Sequence, residues 1–314
     1  MNQRLVNSYY QIKPYIPRSL QIMIRSRVTL LKKWVYRNTW PIDRDAARTP
    51  ATWSGWPEES HFALVLTHDV DTVTGQDKCG ELAEIEKCLG FRSSFNFVIT
   101  NKVSHELRNL LEKDGFEVGI HGLWHDRSLY KSRGDFDYQA GIINTYLKKW
   151  GSVGFRSPSM HHNLEWLHGL DIAYDASTFD TDPFEPQPDG VRTIFPFWVS
   201  AHHSDNNKGY VELPYTLPQD FTLFVLFKEK SIDIWKRKLD WIFEHGGMAL
   251  VNTHPDYMDF TNKAKNCSSY SVDYYIEFLE YVKTRYGNCC WHVLPRDLAS
   301  FWTEKSHKER RERQ

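Results

Sequence analysis

Short apolar segments alternate with amphipathic segments from residue 61 onward. The apolar runs that predict strands are residues 62–66, 93–99, 116–120, 154–156, 172–174, 211–213, 248–252 and 291–294. The segments with helical periodicity are residues 76–89, 104–113, 136–149, 231–244 and 272–284. Strands that alternate with helices are typical of an α/β fold with a parallel sheet. About seven repeats predict a distorted (β/α) barrel that is closed or nearly closed.

The first part of the chain has a different pattern. Residues 1–60 predict a basic N-terminal extension with one helix at residues 19–37, whose apolar positions share one face: Leu20, Ile24, Val28, Leu31 and Val35. We favour a helix that packs on the main domain with its cations in water. The alternative is peripheral contact with an anionic membrane surface through this basic helix.

The remaining boundaries follow from composition. Residues 61–302 form the predicted main domain, and the Pro- and Asp-rich residues 180–209 predict a long loop or excursion within it. Residues 303–314 are strongly charged and predict a disordered tail.

Overall composition narrows the class of protein. The chain has 314 residues, 41% of them hydrophobic, and a net charge of −1, which indicates a soluble globular protein and gives no support for nucleic-acid binding. Its five cysteines are irregularly spaced, so neither a disulfide framework nor a thiolate zinc site is expected. With no transmembrane run and no secretory signal pattern, we expect a cytoplasmic protein.

Two acidic residues follow the first predicted strand. Asp69 and Asp71 end the segment Leu64-Val65-Leu66-Thr67-His68-Asp69-Val70-Asp71. Ligand-binding and catalytic groups gather at the carboxyl ends of strands in α/β folds. Because Asp also commonly caps a following turn or helix, these two residues alone leave both interpretations open.

Three further strand ends carry polar residues. His121 and His125 are four residues apart, a spacing at which two imidazoles on a helical turn share a face and can hold one metal ion. Arg156 follows another strand, where a guanidinium would lower the pKa of a nearby carboxyl. His254 ends the strand at residues 248–252 and is a candidate general acid. Each residue alone could equally be structural.

Taken in order, these segments resemble the polysaccharide deacetylases, the NodB-homology domain of carbohydrate esterase family 4. The matching segments are Thr67-His68-Asp69-Val70-Asp71, His121-Gly122-Leu123-Trp124-His125, Arg156-Ser157-Pro158, Asp175-Ala176-Ser177 and the strand from Leu250 to His254. The resemblance covers roughly residues 61–300. Each motif is short, but their order and strand-end placement agree jointly.

The resemblance implies a polysaccharide deacetylase-like barrel of the glycoside hydrolase/deacetylase superfamily, with one divalent metal ion, usually zinc. It implies that Asp69 is the general base and His254 the general acid, and that Arg156 orients the base. His121 and His125 would bind the metal ion. The two acids of the family are adjacent, whereas Val70 separates them here. We assign Asp71 as the third ligand, while the reverse assignment, with Asp69 as ligand and Asp71 as a cap, stays open.

The expected function is therefore a metal-dependent carbohydrate deacetylase acting on an N-acetylated sugar or polysaccharide intermediate. Two alternatives are a metal-dependent amidohydrolase acting on a small non-sugar amide, and a non-catalytic carbohydrate-binding barrel. We expect the enzyme in the cytoplasm, with the inner face of the membrane as the alternative site for its basic helix.

Overall fold

One curled sheet dominates the computed structural model, which describes residues 17–51, 53–201, 208–261 and 267–312. The strands in these ranges are β1 (Phe62–Val70), β2 (Ser94–Phe97), β3 (Glu117–Ile120), β4 (Gly154–Phe155), β5 (Tyr174–Asp175), β6 (Phe197–Ser200), β7 (Gly209–Glu212), β8 (Met248–Thr253), β9 (Met258–Asp259), β10 (Tyr270–Ser271) and β11 (Cys290–His292). All except β9 and β10, which pair with each other, belong to the nine-stranded sheet.

Helices fill the connections between the strands. They are α1 (Arg18–Val35), α2 (Val73–Leu89), α3 (His105–Lys113), α4 (Arg133–Trp150), α5 (Asp233–His245), α6 (Asp273–Tyr286) and α7 (Pro295–Glu312), with a π-helical segment at Phe221–Leu226. The side chains of Thr72, Ser104 and Ser132 accept a backbone N–H in the first turns of α2, α3 and α4. These caps explain where the three helices begin, and the cap at Ser104 confirms the predicted start of α3.

The strand order is β11-β1-β2-β3-β4-β5-β7-β6, and β8 pairs with the other side of β1. Every pair is parallel except β6 with β7. All nine residues of β1 are buried, as expected for a central strand of a parallel sheet with both faces covered. Backbone N–H groups of Thr216 and Leu217 donate to Leu250 of β8 at 3.1 Å, which draws the two ends of the sheet together. This half-barrel confirms the predicted fold class.

Two sequence expectations are wrong. Strand β6 lies inside the loop predicted at residues 180–209, where it pairs antiparallel with β7. Three of its four residues are apolar (Phe197, Trp198 and Val199), but Pro196 precedes them directly and the surrounding segment is rich in Pro and Asp, which favoured a loop. Helix α7 extends through the predicted disordered tail as far as Glu312, because Lys, Arg and Glu are good helix formers and continue a helix that begins at Pro295. Residues 313–314 lie outside the described residues.

Helix α1 packs on the domain mainly through its polar face. The apolar residues that the sequence places on one face are exposed, whereas polar residues such as Thr29 and Gln21 are buried against the domain. The expectation that the cations of this helix lie in water is wrong for Lys32 and Lys33, which contact the domain. None of the described helices is long and apolar enough to cross a membrane. Residues 1–16 of the predicted extension lie outside the described residues.

Candidate active site

The carboxyl ends of four strands supply the residues predicted from the sequence. Asp69 is near the end of β1 and Asp71 follows that strand, while His121 follows β3, Arg156 follows β4 and His254 follows β8. Since these strands are parallel and lie side by side around β1, their ends meet at one edge of the sheet. The structure brings all of these side chains, together with His125, into one polar cluster.

Asp71 lies beside the two histidines. Its Oδ1 atom is 3.2 Å from Nε2 of His125 and 3.4 Å from Nε2 of His121. This oxygen is buried and has no hydrogen-bond partner. Among the described residues, Asp71, His121 and His125 are the group whose ligand atoms lie close enough together to hold a metal ion. Thr72 rather than Asp71 caps α2, so the capping role considered for Asp71 is filled by its neighbour.

The orientation of His121 suits a ligand. Its Nδ1 donates a hydrogen bond to the carbonyl oxygen of Arg156 at 3.0 Å, which leaves Nε2 as the nitrogen that faces Asp71. The adjacent Gly122 has a φ of +76°, and a Cβ atom there would lie 2.6 Å from Cγ of Pro158. A residue with a side chain would therefore disturb the loop that joins the two histidines.

Burial and charge act against each other on each pKa of this group. Burial raises the pKa of Asp71, but the charge that His125 carries when protonated and the contact with His121 outweigh burial and leave it lowered. Burial lowers the pKa of His125, and the charge of Asp71 only partly offsets that effect. Burial lowers the pKa of His121 as well, but the charges of Asp69 and Asp71 outweigh burial and leave it raised. A metal ion would therefore displace a proton from His121, whereas the shifts already favour an ionised Asp71 and a neutral His125.

Asp69 has a different set of partners. Its Oδ1 accepts a hydrogen bond from Asn96 at 3.1 Å, and its Oδ2 accepts one from Asn252 at 2.8 Å. The guanidinium Nε of Arg156 lies 3.5 Å from Oδ1. Burial raises the pKa of Asp69, but the charges of His121 and Arg156 outweigh it, so the pKa is lowered and the group stays ionised.

Strand register explains these contacts. Asn96 is the residue of β2 directly opposite Asp69, and Asn252 of β8 is opposite Thr67. The hydroxyl of Thr67 accepts a hydrogen bond from Nη2 of Arg156 at 3.0 Å. Each oxygen of the Asp69 carboxylate therefore accepts a hydrogen bond from a neighbouring strand. Sequence reasoning missed both asparagines, although each occupies a strand position where an apolar residue would be expected.

His254 is held by an acid that the sequence reasoning also missed. Its Nδ1 donates to Oδ1 of Asp220 at 2.7 Å, and its backbone N–H donates to Oδ2 at 2.8 Å. The hydroxyl of Tyr270 donates to the same carboxylate at 2.8 Å. Burial lowers the pKa of His254, but the charge and hydrogen bond of Asp220 outweigh it and raise the pKa to about 10. The imidazole is therefore protonated at neutral pH.

A further acid supports the loop that carries Asp71. Asp256 accepts hydrogen bonds from the backbone N–H of Asp71 at 3.0 Å and from the hydroxyl of Thr72. Burial and the nearby charge of Asp71 raise the pKa of Asp256 to about 6. Asp256 follows His254 closely along the chain, so β8 orients both His254 and the end of β1.

Comparison with known proteins finds likeness in structure. No family model matches the chain, and no curated protein matches its sequence. A protein assigned as a polysaccharide deacetylase from Mycobacterium smegmatis has a TM-score of 0.63 at 16% identity, over 82% of this chain and 96% of that one. A protein described as Puue allantoinase has a TM-score of 0.60 at 15% identity, over 81% and 94%.

A third similar structure is assigned as a polysaccharide deacetylase from Pseudomonas aeruginosa PAO1. Its TM-score is 0.59 at 15% identity, over 79% of this chain and 93% of that one. These likenesses show that the chain has the polysaccharide deacetylase fold, which confirms the fold that the motifs implied.

Proposed function

We propose that this chain is a metal-dependent hydrolase that removes N-acetyl groups from a sugar or polysaccharide intermediate, as a divergent relative of carbohydrate esterase family 4. The observation that carries the proposal is that two carboxylates, only two residues apart along the chain, have different partners. Asp71 faces two imidazole nitrogens. Asp69 is held by two amides and lies beside a guanidinium. One carboxylate therefore suits a metal ion and the other suits proton transfer.

The proposed metal ligands are Asp71, His121 and His125, and the proposed ion is zinc. Two imidazoles and one carboxylate form a donor set that leaves coordination positions open, and the buried Asp71 Oδ1 without a hydrogen bond fits a ligand atom. When bound, such an ion supplies Lewis acidity, which polarises an amide carbonyl and lowers the pKa of bound water.

Asp69 is the proposed general base. Its lowered pKa keeps it ionised near neutral pH, so it can accept a proton from the attacking water. Asn96 and Asn252 each bond one of its oxygens and fix the plane of the carboxylate. Arg156 is fully buried and acts as a positioning residue that keeps Asp69 anionic.

His254 is the proposed general acid. The bond to Asp220 fixes a proton on Nδ1, so Nε2 carries the proton that can pass to the departing nitrogen. With a pKa of about 10, the imidazole is fully protonated before each turnover. Asp69 and Asp71 also raise this pKa, which means that their charges act on the acid across the same site.

The proposed substrate class is an N-acetylated carbohydrate. Support comes from the fold shared with two proteins assigned as polysaccharide deacetylases. The second candidate is a small non-sugar amide, because a protein described as an allantoinase has the same fold. Both reactions are hydrolyses of a carbon–nitrogen bond, and the arrangement of Asp69, Asp71 and His254 suits either one.

Acetate release separates these candidates. Purified protein is incubated with N-acetylglucosamine oligosaccharides and, separately, with small N-acetylated amines, with zinc, with a chelator, and with zinc restored. We expect acetate from the oligosaccharides, lost with the chelator and recovered with zinc. Faster hydrolysis of the small amides would favour the second candidate. Failure to hydrolyse either class, with no zinc bound, would contradict both and favour a non-catalytic barrel.

A further inference from the structure

Helix α1 lies on the domain with a mainly polar face inward, on which Ile22 is a buried apolar side chain. Ser26 donates a hydrogen bond to the carbonyl of Leu226, and Lys32 donates to the carbonyl of Pro183 at 2.8 Å. Lys33 forms an ion pair with Glu229 at 2.6 Å. Amphipathic helices of globular proteins normally bury the apolar face, so this orientation is the reverse of the usual one.

The outward face of α1 is a continuous apolar stripe. Leu31 is 72% exposed, Trp34 70% and Val35 61%. The other exposed apolar side chains of the helix are Leu20, Met23, Ile24, Val28 and Leu30. Exposed apolar patches of this extent on a soluble protein mark an interaction site.

The charges on this part of the chain are all positive. The first 42 residues hold eight Lys or Arg and no Asp or Glu, although the whole chain has a net charge of −1. Arg27 is exposed within the apolar stripe. Arg37 is exposed just beyond the helix, where its guanidinium lies 4.8 Å from the ring centre of Trp34. A stripe of Leu, Ile, Val and Trp with Arg at its centre and end is the composition of a helix that lies in a lipid headgroup region.

We propose that the outward face of α1 docks on an anionic lipid bilayer. The leucines and Trp34 would enter the acyl boundary, while Arg27 and Arg37 would extend to the headgroup phosphates. A second copy of the chain fits this face less well. Arg27 is at the middle of the Arg18–Val35 helix, so two antiparallel copies would bring one Arg27 against the other.

The docked helix would hold the candidate active site near the membrane. The guanidinium of Arg25 lies 4.9 Å from the ring centre of Phe221, which follows Asp220 directly. The ring of Phe221 contacts that of Tyr257 at 4.8 Å, and Tyr257 contacts His254 at 5.3 Å. Two aromatic rings and one helix diameter of roughly 10 Å therefore separate the stripe from His254. This step rests on the proposed function: the substrate would be an N-acetylated sugar carried on a membrane lipid.

Vesicle co-sedimentation tests the docking without any need for catalysis. The full chain is mixed with vesicles of phosphatidylglycerol and phosphatidylcholine, and with phosphatidylcholine alone. We expect binding to the anionic vesicles that weakens in high salt, and at least about tenfold weaker binding for Leu31→Asp and for Arg27→Glu. The matched control is Leu110→Asp, since Leu110 is 50% exposed on α3 and should leave binding unchanged.

Three outcomes would overturn the proposal. The first is that the full chain does not bind the vesicles. The second is that the protein is a dimer in solution that Leu31→Asp converts to a monomer. The third is that Leu110→Asp weakens binding as much as Leu31→Asp. Acetate release from soluble oligosaccharides is measured in parallel, so failure of the unchanged chain to bind vesicles, with hydrolysis retained, would contradict only this inference.

The substrate step has its own comparison. An N-acetylated sugar linked to a lipid is presented in anionic vesicles, and the same sugar is presented free in solution. We expect Leu31→Asp to slow acetate release from the lipid-linked form at least about tenfold while the rate on the free sugar is unchanged. Equal slowing on both forms, or on neither, would contradict a lipid-linked substrate.

Discussion

Asp69 and Asp71 are two residues apart, yet their surroundings differ in kind. Each oxygen of Asp69 accepts a side-chain hydrogen bond, from Asn96 or from Asn252. Oδ1 of Asp71 accepts none and faces two imidazoles. A carboxylate whose oxygens are already bonded is fixed in place for proton transfer, whereas one with a bare oxygen has capacity for a metal ion. The difference teaches that local partners, rather than position along the strand, assign the two roles.

Removal of the Asp71 carboxylate should abolish the proposed metal binding. We expect Asp71→Ala to lower zinc affinity by more than about 100-fold and to abolish hydrolysis. Loss of a residue that only orients a metal ligand lowers affinity by up to about 100-fold, so a larger fall would indicate a direct ligand. Zinc content after dialysis and calorimetric titration would measure the change. The control is Asp126→Ala, since Asp126 bonds the backbone of Ser128 at the surface. Zinc retained in Asp71→Ala but lost in Asp69→Ala would reverse the two assignments.

Replacement of Asp69 should affect proton transfer and leave zinc binding almost unchanged. Asp69→Asn keeps the size of the side chain but removes the proton acceptor, so we expect kcat to fall about 10²- to 10⁴-fold. Zinc binding should stay within about threefold of the unchanged protein, because Asp69 lies 3.9 Å from Nε2 of His121 and has its own partners. Parallel measurement of kcat and zinc affinity distinguishes the two variants. A loss of zinc equal to that of Asp71→Ala would contradict the separation of roles.

Asp220 offers a smaller and more specific effect through His254. The negative charge of Asp220 raises the pKa of His254, so the imidazole stays protonated until the pH passes about 10. Asp220→Asn removes that charge, and we expect the alkaline limit of kcat to move to lower pH by about two units. Near pH 6 the variant should keep most of its activity. A uniform loss of activity at every pH, with no shift of the limit, would indicate that Asp220 has only a structural role.

The sequence predicts the ends of the strands better than it predicts the residues that surround them. The strand ends that carry Asp69, His121 and His254 could be predicted, because a buried parallel strand is an apolar run and the polar residue after it is conspicuous. The partners Asp220 and Asn252 could not be. Asp220 is 34 residues from His254 along the chain and begins a π-helical segment, a conformation without a simple sequence signal.

Helix α1 shows a second limit. The spacing of Leu31 and Val35 predicts that they share a face, and they do, but periodicity does not say whether that face meets the protein or its surroundings. The answer depends on Ser26, Lys32 and Lys33, whose partners come from distant segments of the chain. The expectation that the cations of this helix lie in water failed for Lys32 and Lys33 for that reason.

Two glycines of α2 test whether Asp256 keeps Asp71 in position, and their expected effects are the smallest. A Cβ atom at Gly75 would lie 2.3 Å from Oδ2 of Asp256, the oxygen that accepts the backbone N–H of Asp71. A Cβ atom at Gly80 would meet nothing within 4 Å. Alanine in place of glycine normally stabilises a helix by roughly 0.5–1 kcal/mol. We therefore expect Gly80→Ala to raise the free energy of unfolding by about that amount.

Gly75→Ala should act in the opposite direction. Displacement of Asp256 removes its hydrogen bonds to Asp71 and Thr72, so we expect a net loss of about 1 kcal/mol in urea unfolding. Because Asp71 loses its support, zinc affinity should fall about tenfold in Gly75→Ala and stay unchanged in Gly80→Ala. Equal stabilisation by the two substitutions would mean that Asp256 can move without cost, and that the position of Asp71 depends on the histidines rather than on the strand that carries His254.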